Sequence, residues 1–164
     1  MHFIANPPAK SNIEDDIDIE NDIENDGWFP DIQLTSLREA TRLDGTVTDV
    51  RLTTTVVNAM LTVNHALEEW KQQQLQLGWM SLDDVPAKKI NKQSQLHAHY
   101  LRAVYSTTKA DLIEKYRDYD STASSMADKK HMEWLDTAPD QERRNAHWAI
   151  AHIVQRPHMT VELI

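Results

Sequence analysis

Residues 48–79 read TDVRLTTTVVNAMLTVNHALEEWKQQQLQLGW, and one helix accounts for nearly all of it. Leu52, Val56, Ala59, Val63, Ala66 and Trp70 recur at alternating steps of four and three, which lines them up along one helical seam. Val57, Met60, Leu61 and Leu67 broaden that seam into a face wide enough for more than one neighbour. Thr48 is the expected N-cap, and Asp49 complements the positive helix end. Gly78 is the expected stop, because glycine takes the left-handed C-cap conformation without strain. At ~1.5 Å per residue, thirty residues make a rod of roughly 45 Å. So long a rod in a chain of 164 residues is expected to be the spine of a helical bundle.

The length favours one domain, and 40% apolar residues can build a core. There are no cysteines, which excludes disulfides and thiolate metal sites. No apolar run approaches the ~20 residues that span a bilayer, and the beginning of the chain lacks the pattern of a signal peptide. Three glycines (Gly27, Gly45 and Gly78) argue against phosphate-cradling loops and a turn-rich β protein. The net charge of −9 is concentrated near the N-terminus. Glu14, Asp15, Asp16, Asp18, Glu20, Asp22, Glu24 and Asp26 come without a Lys or Arg among them, and the chain without these eight stands at −1. No basic footprint for gripping nucleic acid is present.

Upstream of the spine, residues 1–27 form an acidic arm. Ile13, Ile17, Ile19 and Ile23 are interspersed with acids and asparagines. The composition is that of a self-repelling, disordered tail. The isoleucines leave open an arm that orders on a partner, entering pockets or adding a strand to a sheet edge. Gly27-Trp28-Phe29-Pro30-Asp31 breaks the pattern abruptly. The two aromatics are either an anchor that contacts another subunit or a cap on their own core. Ser36-Leu37-Arg38-Glu39 has the form of a capping box and is expected to open a short helix to about Leu43.

Downstream, Trp79, Leu82 and Val85 are expected to fold back onto the spine, and Pro86 biases Val85 to extended backbone. A third helix is expected from about Ser94 to Asp118. Leu101, Val104, Tyr105, Thr108, Leu112 and Tyr116 lie on its seam, and Lys109, Asp111, Glu114, Lys115 and Arg117 on a solvated face. Asp120 to Ser125 reads as loop, and Ala127 to Leu135 as a weak helix around Met132 and Trp134. Thr137-Ala138-Pro139-Asp140 starts a last helix that buries Ala146, Ala149, Ile150, Ile153 and Val154 and ends before Pro157. Residues 157–164 alternate Met159, Val161 and Leu163 as an extended tail without a partner strand in its own chain.

The fold class is therefore all-α: a small bundle of about four helices with one long central helix. An extended acidic N-terminal arm and a short extended C-terminal tail complete it. The division is residues 1–27 for the arm and 28–164 for a helical connector domain that includes the tail.

Eight histidines invite a metal reading, but the spacings do not support one. His97 and His99 point about 200° apart on a helix, and His147 and His152 do not share a face. No His-Glu-x-x-His run, Ser nucleophile elbow, Walker loop or dinucleotide fingerprint occurs. Asp83 and Asp84 are adjacent, whereas paired catalytic carboxylates converge from separate elements, so a loop turn is expected there. No catalytic residue, metal or cofactor is expected. From these residues alone, a small helical adaptor or regulatory subunit of a bacterial complex fits.

One succession of segments is more specific. Trp28-Phe29-Pro30-Asp31-Ile32 is followed by Thr46-Val47-Thr48 with Arg51-Leu52, and by Gly78-Trp79 with Leu82-Asp83-Asp84-Val85-Pro86-Ala87. Tyr100-Leu101-Arg102-Ala103-Val104-Tyr105, Leu112 to Asp118 and Trp148-Ala149-Ile150 continue it. In order and spacing this resembles the head completion/stabilisation proteins of tailed bacteriophages, the GPL family, over about residues 28–164. The resemblance implies a non-enzymatic virion protein of the phage neck, assembled in the host cytoplasm. It implies binding to the portal protein after DNA packaging, stabilisation of the filled head, and a site for tail-completion or terminator proteins. It also implies a self-assembled ring matching the portal, twelvefold by analogy, through which genomic DNA passes without specific binding, and no membrane. The residues expected at subunit or portal contacts are Ile13, Ile17, Ile19, Ile23, Trp28, Phe29, Met159, Val161 and Leu163.

Overall fold

The computed structural model describes residues 22–43, 45–122 and 138–155. Among these, four helices carry the fold: α1 (Leu34–Thr41), α2 (Asp49–Gln76), α3 (Gln95–Thr122) and α4 (Pro139–Ile153). Two small hairpins accompany them. β1 (Asp22–Ile23) pairs antiparallel with β2 (Ile32–Gln33), and β3 (Lys89–Ile90) with β4 (Gln93–Ser94). The second hairpin turns through Asn91 and Lys92, both at positive φ, which is the primed turn that suits the twist of paired strands. The helical bundle read from periodicity is the observed architecture.

Helix α2 begins and ends where its residues dictate. Thr48 stands at the N-cap in extended conformation, although its side chain makes no cap bond. Asp49 in the first turn accepts instead from Arg38 Nη2 at 2.6 Å. At the other end Gly78 turns at φ +92°, the Gly78 N–H donates to Leu75 O at 3.0 Å, and the Trp79 N–H donates to Gln74 O at 3.1 Å. These two bonds form a Schellman motif, which satisfies carbonyls the helix would otherwise leave unpaired.

The buried seam of α2 is Leu52, Val56, Ala59, Met60, Val63 and Leu67, with Thr55 beside it. Burial of each large aliphatic side chain contributes about 1.5–3 kcal/mol. The seam ends at Leu67: Ala66 is exposed and Trp70 half-buried. Val57 and Leu61, expected to broaden the buried face, lie 38% and 63% exposed on the opposite side together with Val50. The structure corrects the reading there, because no element of the described chain covers that side.

The central helix of the bundle is α3. It packs against α1, α2, α4, β4 and the 3-10 turn at Leu82–Asp84. Leu96, Tyr100, Ala103, Val104, Ser106, Thr108, Ala110, Leu112 and Ile113 are all buried on it, and they point in nearly every direction around its axis. The Thr108 hydroxyl has no hydrogen-bond partner among the described residues. Helix α3 runs on to Thr122, so Asp120, Ser121 and Thr122, expected in a loop, are helical. Helix α4 begins with Pro139 in its first turn and buries Ala146, Ala149 and Ile153, whereas Ile150 and Val154, also expected on that face, are half-buried.

Two local expectations are corrected. Helix α1 starts two residues before Ser36, at Leu34, with Gln33 as an N-cap that makes no side-chain bond. The Ser36 hydroxyl donates to Gln33 Oε1 at 3.1 Å instead of capping. The charged face of α3 is not simply solvated, because α4 lies along it. Lys109 pairs with Glu142 at 3.3 Å, and Arg143 reaches both Glu114 and Asp111. The weak helix expected at 127–135 and the extended tail at 157–164 lie outside the described residues.

Candidate functional site at the root of the N-terminal arm

The most elaborate arrangement of polar groups joins the start of the described chain to the two long helices. Ile23 pairs with Ile32 across β1 and β2, and both belong to the core or pack against it. Residues 24–31 then make a tight loop. Asp26 closes it: its Oδ1 accepts from the Trp28 and Phe29 N–H groups, each at 3.0 Å. Its Oδ2 accepts from Lys71 Nζ of α2 at 2.6 Å. Gly27 allows this turn at φ +81°, where a side chain would be strained. Burial alone would raise the Asp26 carboxyl. The hydrogen bonds from Lys71, Phe29 and Trp28 outweigh burial and hold it below the usual carboxylate range.

Asn25 is the second fastening. Its amide donates to Tyr100 Oη at 2.8 Å and to Pro30 O at 2.9 Å. Tyr100 donates to Asn64 Oδ1 at 2.6 Å, and Asn64 Nδ2 donates back to Asn25 Oδ1 at 2.9 Å. Three side chains from the loop, α2 and α3 thus close a ring. Tyr100 is fully buried, and that burial pushes its hydroxyl far above the normal tyrosine range, so it stays a protonated donor. Each member satisfies another, which removes the penalty that buried polar groups otherwise impose.

Aromatic packing completes the root. Phe29 stacks on Tyr100 with ring centroids 4.8 Å apart, and Trp28 meets Trp70 edge-on at 5.8 Å. Trp28 Nε1 donates to Trp79 O at 3.2 Å. The Lys71 ammonium lies within 6 Å of both the Trp28 and Phe29 rings. Trp28 is 5% and Phe29 3% exposed. The structure therefore places both in their own core, the capping alternative, and the surfaces expected to contact another subunit are consumed within the chain. Residues 22–27, read as arm, are fixed to the body. Ile23 is half-buried there. Ile13, Ile17, Ile19, Met159, Val161 and Leu163 lie outside the described residues.

Elsewhere the histidines pair in a way their spacing along the chain conceals. His99 of α3 stacks on His152 of α4 with centroids 4.8 Å apart. Burial, then the neighbouring His152 and Arg102, lower the tendency of His99 to protonate. His97 meets Asp83 at 3.0 Å. Asp84 belongs to a turn, its N–H donating to Ser81 Oγ at 3.3 Å. Among the described residues no three His, Asp or Glu side chains converge as a metal site would require, and no helix is long and apolar enough to cross a membrane.

Between the first turns of α2 and the later turns of α3 lies an open groove of about 330 Å³, lined by Val50, Arg51, Thr54, Thr55, Leu112, Lys115 and Tyr116. The Arg51 guanidinium lies 5.9 Å over the Tyr116 ring, whose hydroxyl donates to Thr46 O at 3.2 Å.

The family model of the phage head completion protein (GPL) matches residues 23–164, beginning at the strand residue that opens this fastening. The head completion/stabilization protein of Escherichia phage P2 is 37% identical over 142 residues, covering 87% of this chain and 82% of that protein. No solved structure matches the chain.

Proposed function

The chain belongs to the phage head completion protein (GPL) family, and from that premise we propose that it is a connector at the portal vertex of a tailed phage. Its role in the virion is structural completion of the head. On this reading it joins the portal protein once DNA is packaged, stabilises the filled head and presents the surface to which tail-completion or terminator proteins attach. Copies of the chain form a ring around the DNA passage. The chain works by fitting between neighbours and performs no chemistry of its own.

The observation that carries this reading is the rigid root of the arm. Residues 22–33 are held by the Asn25-Tyr100-Asn64 ring, the Asp26–Lys71 pair and the Trp28-Phe29 packing, which costs conformational freedom at a surface loop. Such a root gives the segment of residues 1–21 a fixed attachment to the body. A small subunit gains contact area in an assembly through chain ends that reach its neighbours, and a fixed departure point reduces the ordering cost of that reach. The chain from Asp22 onward keeps an excess of carboxylates over cations, which suits a passage that must not retain DNA phosphates.

The test is deletion of residues 1–21 together with 157–164, leaving the fastening from Asp22 intact. The truncated chain should keep the helical circular dichroism and the cooperative unfolding of the full chain, yet fail to complete heads in a complementation assay. Full rescue of tail-bearing particles by the truncated chain would overturn the proposal.

A further inference from the structure

We propose that the groove between α2 and α3 is the receptor for the acidic arm of the next copy in the ring, taking residues 13–20. This deepens the connector reading above and rests on it. Three observations carry it. The first is chemical complementarity. The groove has an apolar lining of Val50, Leu112 and Tyr116, and Arg51 and Lys115 contribute two cations to it. Val50 is 78% exposed in the described chain. The carboxylates beside these cations in sequence are engaged: Asp49 is bound by Arg38 at 2.6 Å, Glu114 by Arg143, and Asp111 is shared between Lys115 and Arg143, the latter at 3.8 Å. Residues 16–20 read Asp16-Ile17-Asp18-Ile19-Glu20. In an extended chain this presents two isoleucines on one side and three carboxylates on the other. The isoleucines match the apolar lining and the carboxylates match the cations.

The second observation is reach. Asp22 is fixed in β1, and Ile17, five residues upstream, lies within about 17 Å of extended chain from that point. The third is placement. Asn64 and Lys71, which fasten the arm root, project from one flank of α2, whereas Arg51 and Thr55 of the groove project from the other. A donor surface and an acceptor surface at separate places on one chain permit head-to-tail contacts, which form a ring when the rotation between copies closes. The crest between them carries Val57 and Leu61, 38% and 63% exposed, which extend the apolar path away from the groove.

The chain has no cysteine, so every disulfide introduced by design is diagnostic. Full-length Ile17→Cys and Val50→Cys chains are mixed at high concentration under mild oxidation and resolved on non-reducing gels. The expected result is a covalent two-chain product. The double variant should form a ladder of linked chains. Combining Val50→Cys with Arg51→Glu and Lys115→Glu should cut the product by roughly tenfold, the effect of reversing two contacting surface charges. The proposal is overturned if the double variant closes only on itself as a monomer. It is also overturned if Ile17→Cys links to Val50→Cys no better than to Leu77→Cys, at the opposite end of α2. Head completion by the Arg51→Glu/Lys115→Glu chain is scored separately: normal heads without the cross-link sink the groove and spare the connector reading.

Discussion

Helices α2 and α3 each contain 28 residues and lie side by side, yet they hold opposite places in the molecule. Helix α2 shows the cleaner apolar stripe and is covered on one side only, with Val50, Val57 and Leu61 facing outward. Helix α3 shows the fainter stripe and, among the described residues, is the helix against which both α2 and α4 chiefly pack. The difference follows from what a stripe records. Amphipathic periodicity is sharpest where one face meets protein and the other meets water. A helix with neighbours on several sides buries residues all round, and where a neighbour is itself charged it keeps charges too, so its pattern blurs. In a small bundle the strongest periodic signal therefore marks a flanking helix, and the centre must be sought in a weaker one.

Truncation should separate the two helices most clearly. Ile113→Ala on α3 removes a fully buried side chain and should lower stability by about 2–5 kcal/mol. Leu61→Ala on the open side of α2 should stay within about 0.5 kcal/mol of the parent chain. Urea denaturation followed by circular dichroism measures both. Equal losses would mean that α2 is as enclosed as α3.

A smaller effect is expected where the two helices are joined. Tyr100→Phe keeps the stacking on Phe29 but leaves the Asn25 and Asn64 amides each short of a partner. The expected loss is about 1–3 kcal/mol. Amide hydrogen exchange should accelerate at residues 23–29 before it does in α4, because the change frees the arm root first. Uniform acceleration throughout the bundle would show that the ring supports the core and not specifically the root.

The smallest effect concerns the face of α3 turned to α4. His99 resists protonation in the folded chain because it is partly buried, faces His152 and lies near Arg102. Its folded value lies below its unfolded value of about 6.5. The stabilisation is therefore complete above about pH 6.5 and is lost as the pH falls through the lower folded value. His99→Gln should flatten the decline of the melting temperature between pH 7.5 and pH 5. A decline of unchanged steepness in the variant would assign the acid sensitivity to other groups.

Much of the fold was legible in residue order. The ends of α2, the Pro139 start of α4 and the turn at Gly78 follow from local chemistry, since caps and turns are satisfied by residues next to them in the chain. The arm root was only half legible. Trp28 and Phe29 announced an anchor, but an aromatic pair carries no mark of whether its pocket lies in its own subunit or in another. Asn25 carried no signal at all. It matters because Asn64 and Tyr100, 39 and 75 residues away, arrive within hydrogen-bond reach of it. The charged face of α3 misled for a related reason. Lys109, Asp111 and Glu114 read as solvated until α4 supplies Glu142 and Arg143 opposite them.

By itself, then, the sequence determined the bundle class, both ends of α2, the Pro139 start of α4 and the family resemblance. These depend on contacts between residues a few positions apart, or on residue order alone. Only the tertiary structure decided which long helix is central, that Trp28 and Phe29 turn inward, and that Asn25, Asn64 and Tyr100 close a ring. Those outcomes depend on how helices pack in space, and burial is a property a side chain acquires from neighbours that lie far from it along the chain.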